Sequence, residues 1–301
     1  KTAKEAVQLA KRLGLQIKIV TGDSKEVAGA IAKEIGLIKD PQEVIVGEML
    51  DSLPKEELEK KCEEFSVFAR VSPQIKYEIV KTLSEKHEVG FLGEGVNDAP
   101  ALKAAHLAIA VDSATDVARE VSDIILLKKD LKVIIDGVKQ GRNVFSNINK
   151  YIKCTLSSNF GNFYSIALIS LAIPFLPMLP IQILMVNLLS DFPLIAVASD
   201  KVDIEELKKP KLYQLNKFIS LIVLLALVST IFDFIFFGIF RKVEPSLLQT
   251  LWFIESILTE ILLIFSIRTF HFFGKAKMPS IPLMIISFLT FLITILLPFT
   301  N

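Results

Sequence analysis

The stretch VGFLGEGVNDAP, Val89 to Pro100, sets an apolar run against a turn of glycine, acid and amide. Val89 to Leu92 predicts a strand, and Gly93 and Gly95 allow positive φ or close backbone approach where it ends. Glu94, Asn97 and Asp98 give little to packing. They suit oxygen coordination of Mg²⁺, which takes one or two carboxylates with phosphate and water. Further strand candidates lie around this turn, at Gln16 to Val20, Phe65 to Ala69, Leu107 to Val111 and Asp123 to Leu127. Ala3 to Leu13 predicts a helix that Gly14 stops, and Ser24 to Ile35 a second that Gly36 stops. This βαβ rhythm predicts a parallel sheet with covering helices, and ligands of such sheets bind beyond the carboxyl ends of the strands. Thr21-Gly22-Asp23 falls at one of those ends. With neither GxxxxGK[ST] nor GxGxxG present, the ordinary P-loop and dinucleotide readings fail. On the residues alone, Gly22 could simply turn the chain, Thr21 cap the next helix, and Lys76 be a solvated helix lysine.

Charge divides the chain into two materials. Residues 1 to 150 hold 23 Lys or Arg and 24 Asp or Glu, whereas residues 151 to 301 hold 11 and 9. The first half reads as a soluble domain, expected over 1–145, and the second as an all-α membrane domain over 146–301. Five apolar spans are expected, at about 150–172, 178–198, 217–240, 249–267 and 281–299. Lys201, Lys208, Lys209, Lys211 and Lys217 in one loop, and Arg268, Lys275 and Lys277 in another, place the even loops and the soluble half in the cytoplasm. An odd number of spans then leaves Asn301 outside and hints at further sequence. No basic patch argues for nucleic acid. Cys62 and Cys154 lie in different halves, against a disulfide framework. Leu131 to Lys153 lacks proline and could run as one helix into the first span.

The apolar half contains Asp191, Asp233, Glu255 and Glu260. A bare charge at mid-membrane costs roughly 2.5 kcal/mol or more, so such carboxylates usually face each other, water or a cation. Asn187 and Asp191 are i, i+4 and share a helix face. Glu255 and Glu260 point about 140° apart on a helix, which disfavours one site for both and makes Glu255 the better candidate. Asn159, Asn162 and Asn187 could equally form interhelical hydrogen bonds, and Asp233 could pair near a helix end.

TGDSKEVAGAIAKEIGL, FARVSPQIKYEIV and GFLGEGVNDAPALKAAHLAIAV, in that order, resemble the phosphorylation domain of P-type cation-transporting ATPases, of the haloacid-dehalogenase-like superfamily. SSNFGN, PFLPMLP, NLLSD, WFIE and IRT continue the likeness through the apolar half, which is most similar to the magnesium-transporting class. The resemblance implies a partial haloacid-dehalogenase-like, Rossmann-type α/β domain followed by a transmembrane helix bundle. It implies that Thr21 and Gly22 hold phosphoryl oxygens, with Asp23 in the same loop, and that Lys76 neutralises phosphate charge. Asp98 would hold the catalytic Mg²⁺, with Glu94 as a further ligand and Asn97 hydrogen-bonding nearby. Asn159, Asn162, Asn187, Asp191 and Glu255 would hold the transported divalent cation. ATP, membrane lipid and a plasma (inner) membrane setting follow from the same likeness.

Three departures stand against the family pattern. Glu94 replaces an aspartate, displacing a carboxylate by about a bond length where Mg²⁺ demands near-ideal geometry. The 301 residues contain no DKTGT, the motif of the phosphorylated aspartate. A tenth span is not reached. These predict the C-terminal portion of a pump, inactive alone, that could partner a separately encoded N-terminal half. A non-catalytic membrane subunit and a membrane-anchored phosphatase are the competing readings; for the latter, Asp23 and Asp112 are weak nucleophile candidates.

Overall fold

The computed structural model describes residues 2–208, 214–269, 271 and 276–300. Lys209, Lys211, Lys275 and Asn301, used above in the loop-charge reading, lie outside them. The chain forms two compact units, divided between Val138 and Lys139.

In the first unit, α1 (Thr2–Arg12), β1 (Ile19–Val20), α2 (Lys25–Glu34), β2 (Ile45–Val46), α3 (Lys55–Glu64), β3 (Val67–Ala69) and α4 (Pro73–Ser84) come first. Then follow β4 (Gly90–Gly93), α5 (Ala99–Ala104), β5 (Leu107–Val111), α6 (Asp116–Glu120) and β6 (Ile124–Leu126). All strand pairs are parallel, in two three-stranded sheets of order β1-β3-β2 and β4-β5-β6. The sequence predicted one sheet and missed β2, because two residues carry no readable alternation. The central strands β3 and β5 are the apolar runs VFA and LAIAV, buried almost throughout, as strands covered on both faces must be. Asp123, expected to begin β6, pins it from outside. Its N–H donates to the Ala108 carbonyl at 2.8 Å, and its carboxylate accepts from Ala108 N–H at 2.8 Å.

Helix starts follow the capping rules. Ser24, Ser72 and Thr115 accept from backbone N–H groups in the first turns of α2, α4 and α6, and Pro73 supplies the preset φ at the start of α4. Ile75, Ile79 and Leu83 on α4 bury one face against Phe68, Leu58 and Cys62. Leu102, Ile109, Val111 and Leu126 form the core beside β5, with Ile134 against it.

The helix α7 runs unbroken from Leu131 to Ser170. After it come α8 (Pro180–Ala196), α9 (Ile204–Leu207), α10 (Leu215–Phe240), α11 (Pro245–Ile267) and α12 (Ile281–Leu296). Four helical stretches among the described residues are long and apolar enough to cross a membrane: Pro180–Ser199, Leu215–Phe240, Pro245–Ile267 and Ile281–Phe299. The first expected span, 150–172, is helical through Ser170 but is not among them. Lys150, Lys153, Ser157, Ser158, Asn159 and Asn162 make that segment too polar to qualify. Trp252, Phe253, Ile257, Val186 and Ile169 form one core of this unit. Gly161 on α7 is buried against α10. A Cβ there would lie 2.9 Å from Ser229 side-chain atoms, so only glycine permits this approach. Thr230 reaches across the same seam to the Gly161 carbonyl at 3.4 Å. Cys62 and Cys154 are both buried and free.

Candidate functional site

At the carboxyl end of β1, Thr21 N–H donates to the Phe68 carbonyl of β3 at 2.9 Å. The Thr21 hydroxyl donates to Asp23 Oδ2 at 2.9 Å and accepts from Asp23 N–H at 3.1 Å. Val71 N–H donates to the Thr21 carbonyl at 3.0 Å, and Arg70 N–H to the Asp23 carbonyl at 2.8 Å. These bonds fasten the loop to the segment that leads into α4. Arg70 takes a positive φ of 49°, uncommon for a side chain of that size, at this junction. A Cβ on Gly22 would meet no atom closer than 4.0 Å. Packing alone therefore does not demand the glycine, and open space lies over the loop.

Lys76, one turn into α4, reaches Asp98 Oδ1 at 2.7 Å. Both side chains are mostly buried, at 16 % and 15 % exposure. Asp98 Oδ2 accepts from the backbone N–H groups of Glu94 and Gly95, each at 3.1 Å. Burial pushes the Asp98 carboxyl up, but Lys76 and the two N–H groups outweigh it and hold its pKa below the usual value. Gly93 makes this turn possible, since a Cβ there would sit 2.8 Å from Asp98 Cβ. Glu94 turns outward to Lys129 Nζ at 2.8 Å, and Asn97 is exposed. Sequence spacing gave no hint of the Lys76–Asp98 pair, which joins residues 22 positions apart.

A hard cation fits this donor set. Asp98 Oδ1 keeps a lone pair beyond the one Lys76 uses, and Glu94, exposed, can contribute through water. Among the described residues no three His, Cys, Asp or Glu side chains converge into a metal-binding group. Any cation here needs phosphate, water, amide or hydroxyl oxygens as well.

In the second unit the structure brings Asn162 to Glu260, Nδ2 to Oε1 at 2.7 Å. Three residues further along α7, the Ser165 hydroxyl donates to Asp233 Oδ2 at 2.5 Å, and Trp252 Nε1–H donates to Asp233 Oδ1 at 3.0 Å. Glu255 lies within electrostatic reach of Asp233 and Glu260, and its buried Oε2 has no hydrogen-bond partner among the described residues. Asn159, Asn187 and Asp191 stand on exposed faces of this unit and are not drawn into the Asn162–Glu260 contact. The helix-angle argument favoured Glu255 over Glu260, yet Glu260 is the one bonded to an asparagine of α7. A 98-residue separation hides that contact from any local pattern.

A second polar belt joins the ends of these helices. Arg268 Nε donates to Asp200 Oδ2 at 2.9 Å, with side-chain exposures of 5 % and 0 %. Ser280 N–H donates to Asp200 Oδ1 at 2.8 Å, Asn147 Nδ2 to the Asp200 carbonyl at 2.8 Å, and Thr269 to Asp203 at 2.7 Å. Lys150 pairs with Glu206 at 3.3 Å, also buried, and the Ser146 hydroxyl donates to the same carboxylate at 2.6 Å.

Comparison with known proteins matches both units. Residues 1–106 match the haloacid dehalogenase-like hydrolases, and residues 175–301 match the family described as cation transporting ATPase, C-terminus. A magnesium-transporting ATPase, P-type 1, of Escherichia coli K12 is 40 % identical across 99 % of this chain. A protein of the same description from Salmonella typhimurium 14028s is equally similar, and a calcium-transporting ATPase of Bacillus subtilis 168 is 39 % identical across 68 % of the chain. The chain belongs to the P-type cation-transporting ATPases. It spans about a third of the length of the magnesium-transporting relatives, 34 % in each case, and 24 % of the calcium-transporting one. With four helices long and apolar enough to cross a bilayer, it is an integral membrane protein. The haloacid-dehalogenase-like fold expected from its motifs is the fold it has.

Proposed function

We propose that this chain supplies the phosphoryl-handling loops and the membrane cation site of an ATP-driven divalent-cation pump, with Mg²⁺ as the foremost cargo. One pairing carries the reading: a buried Lys76–Asp98 contact beyond the ends of parallel strands, on the same chain as a buried Asn162–Glu260 contact among apolar helices. Loops of the first kind stabilise charge on a phosphoryl group, and carboxylates of the second kind need a cation.

In this reading the Thr21 hydroxyl and the N–H groups of the Thr21–Asp23 loop bind phosphoryl oxygens. Lys76 offers a positive charge where negative charge develops. Asp98 holds the catalytic Mg²⁺, with Glu94 contributing through water and Asn97 bonding nearby. Mg²⁺, when bound, screens the phosphate charge. The residues present supply no acyl-phosphate nucleophile in a DKTGT setting, so the 301 residues alone should not form a phosphoenzyme. ATP is the proposed phosphoryl donor and a separately made N-terminal half a proposed partner. Residues 1–145 then face the cytoplasm, the plasma membrane holds residues 146–301, and residues 150–172 form a fifth, polar span. Asn159, Asn162, Asn187, Asp191 and Glu255 are the proposed cation ligands, the exposed ones meeting other segments of the pump.

The test is ATP-dependent Mg²⁺ uptake into proteoliposomes carrying the pump that contains these residues, followed with a fluorescent Mg²⁺ indicator. Asp191→Asn is expected to cut uptake about tenfold or more. Unchanged uptake and unchanged ion affinity in that variant would overturn the assignment. Acid-stable, hydroxylamine-sensitive label from [γ-³²P]ATP on the 301 residues alone would refute the predicted inactivity.

A further inference from the structure

The turn from Gly93 to Asp98 carries two carboxylates, and they are held differently. Asp98 is locked: Lys76 and two backbone N–H groups bind it, and its side chain is 15 % exposed. Glu94 is fixed only through its backbone. Its N–H donates to Asp98 Oδ2 at 3.1 Å, and its carbonyl accepts from Thr115 N–H at 3.0 Å. Its side chain meets Lys129 Nζ at 2.8 Å, with 54 % of the glutamate and 57 % of the lysine side chain exposed. An exposed pair of this kind is weakly held. The carboxylate can change partners while the backbone stays in place.

The partner sits where such a change has consequences. Lys129 lies between β6, which ends at Leu126, and α7, which begins at Leu131. Asp130, next to it, accepts from Lys132 N–H at 2.9 Å in the first turn of α7. The pair thus ties the phosphoryl-site turn to the segment that starts a 40-residue helix, across 35 positions of sequence. Reach contributes too. Glu94 stands where the family pattern has aspartate, and its extra methylene carries the carboxylate further from the backbone. An ammonium and a divalent cation repel each other at one carboxylate, and the divalent cation carries twice the charge. Glu94 therefore serves Lys129 when the site holds no cation, and a hydrated Mg²⁺ when it does.

We infer that Lys129 is a positioning residue that holds Glu94 aside in the cation-free site and lets go of it when Mg²⁺ binds, loosening the segment 127–130 at the head of α7. The inference rests on the phosphoryl-site reading above and adds a regulatory element to it. Occupancy of that site is reported to the first turn of α7 through the loss of one ion pair.

The test is hydrogen–deuterium exchange, read by mass spectrometry, on the nanodisc-held pump that contains these residues, titrated with MgCl₂ in inorganic phosphate without nucleotide. Two local peptides report: the turn 93–98 for cation binding and the segment 127–130 for release. In the natural protein, exchange in 127–130 is expected to rise about two- to fivefold as the turn saturates, the scale of one exposed ion pair. Lys129→Gln is expected to exchange at the raised rate from the start, and to move the Mg²⁺ midpoint of the turn about two- to fivefold lower. In a Glu94→Gln background, Lys129→Gln should add nothing, since the pair is already gone. Lys128→Gln removes the same exposed charge one residue away and should move neither readout. An unchanged midpoint in Lys129→Gln, or a segment 127–130 that ignores Mg²⁺ in the natural protein, overturns the inference and leaves the phosphoryl-site reading standing. An equal midpoint shift in Lys128→Gln also overturns it, because general charge and not this pair would then be at work. A turn with no saturable response to MgCl₂ removes the phosphoryl-site reading itself, and this inference with it.

Discussion

Carboxylates outside the apolar helix interiors and those within them are answered in opposite ways. Asp98 in the first unit meets the Lys76 ammonium at 2.7 Å, and Asp200 at the helix ends meets the Arg268 guanidinium at 2.9 Å. Asp233 and Glu260, in mid-helix, meet no cation among the described residues: a serine, a tryptophan and an asparagine donate to them, and the Glu255 carboxyl lies close by. A charge matched by a fixed opposite charge is settled, whereas a charge held by dipoles alone leaves room for a mobile cation or a proton. The contrast separates carboxylates fixed by an opposite charge from carboxylates held by dipoles alone.

The comparison can be broken most forcefully at Arg268. Arg268→Ala leaves Asp200 buried and uncompensated, with an expected cost of about 3–5 kcal/mol. Thermal unfolding in detergent should show it, and adding Asp200→Asn should recover much of the loss. Asp233→Asn should by contrast cost under about 1.5 kcal/mol, since the amide oxygen can still accept from Trp252 Nε1–H while the amide NH2 donates to the Ser165 hydroxyl. Equal losses at the two sites would erase the distinction.

Next in size is Lys76. Lys76→Met should lower the rate of phosphoryl turnover in the pump by about 10²–10³, the range for removing one preorganised charge-stabilising donor. A rate assay at saturating ATP decides it. The same pair gives a pH signature. Asp98 has a folded pKa below its ordinary 3.8, so its stabilisation is fully present above that value and is lost as pH falls through the lower, folded one. The melting-temperature gap between the natural protein and Asp98→Asn should thus stay level from neutrality to about pH 4. It should shrink only below that; a gap closing at pH 6 would contradict the pairing.

Smaller still is Gly93→Ala. Its new methyl would press on Asp98 Cβ and on Leu102, with an expected cost of about 1–3 kcal/mol by chemical denaturation. Smallest is Lys129→Ala. It frees Glu94, but both side chains are more than half exposed, so stability should change by less than about 1 kcal/mol in the same measurement.

Much of the fold was readable because its signals are local. LAIAV reads as a buried strand from five residues, and Ser72-Pro73 reads as a helix start from two. The turn Gly93 to Asp98 stood out because acid between glycines has no packing use. What stayed hidden depends on distance along the chain. Arg268 and Asp200 are 68 residues apart, and Asn162 and Glu260 98, so no periodicity joins them. Glu260 was passed over because an ideal helix turns it about 140° from Glu255. That argument treats one helix alone, while α7 and α8 close around α11 and give each glutamate its own neighbours. The polarity of 150–170 has the same origin: a helix that carries Ser158, Asn162 and Ser165 for partners elsewhere cannot also be greasy.

Gly161 lets α7 and α10 seat backbone against backbone, with Ser229 filling the gap its missing side chain leaves. No acyl chain can wedge into so tight a seam, and neither rod can slip lengthwise without lifting over the other. A shift of α7 along its axis therefore carries α10 with it as a single beam, stiffer than either helix alone.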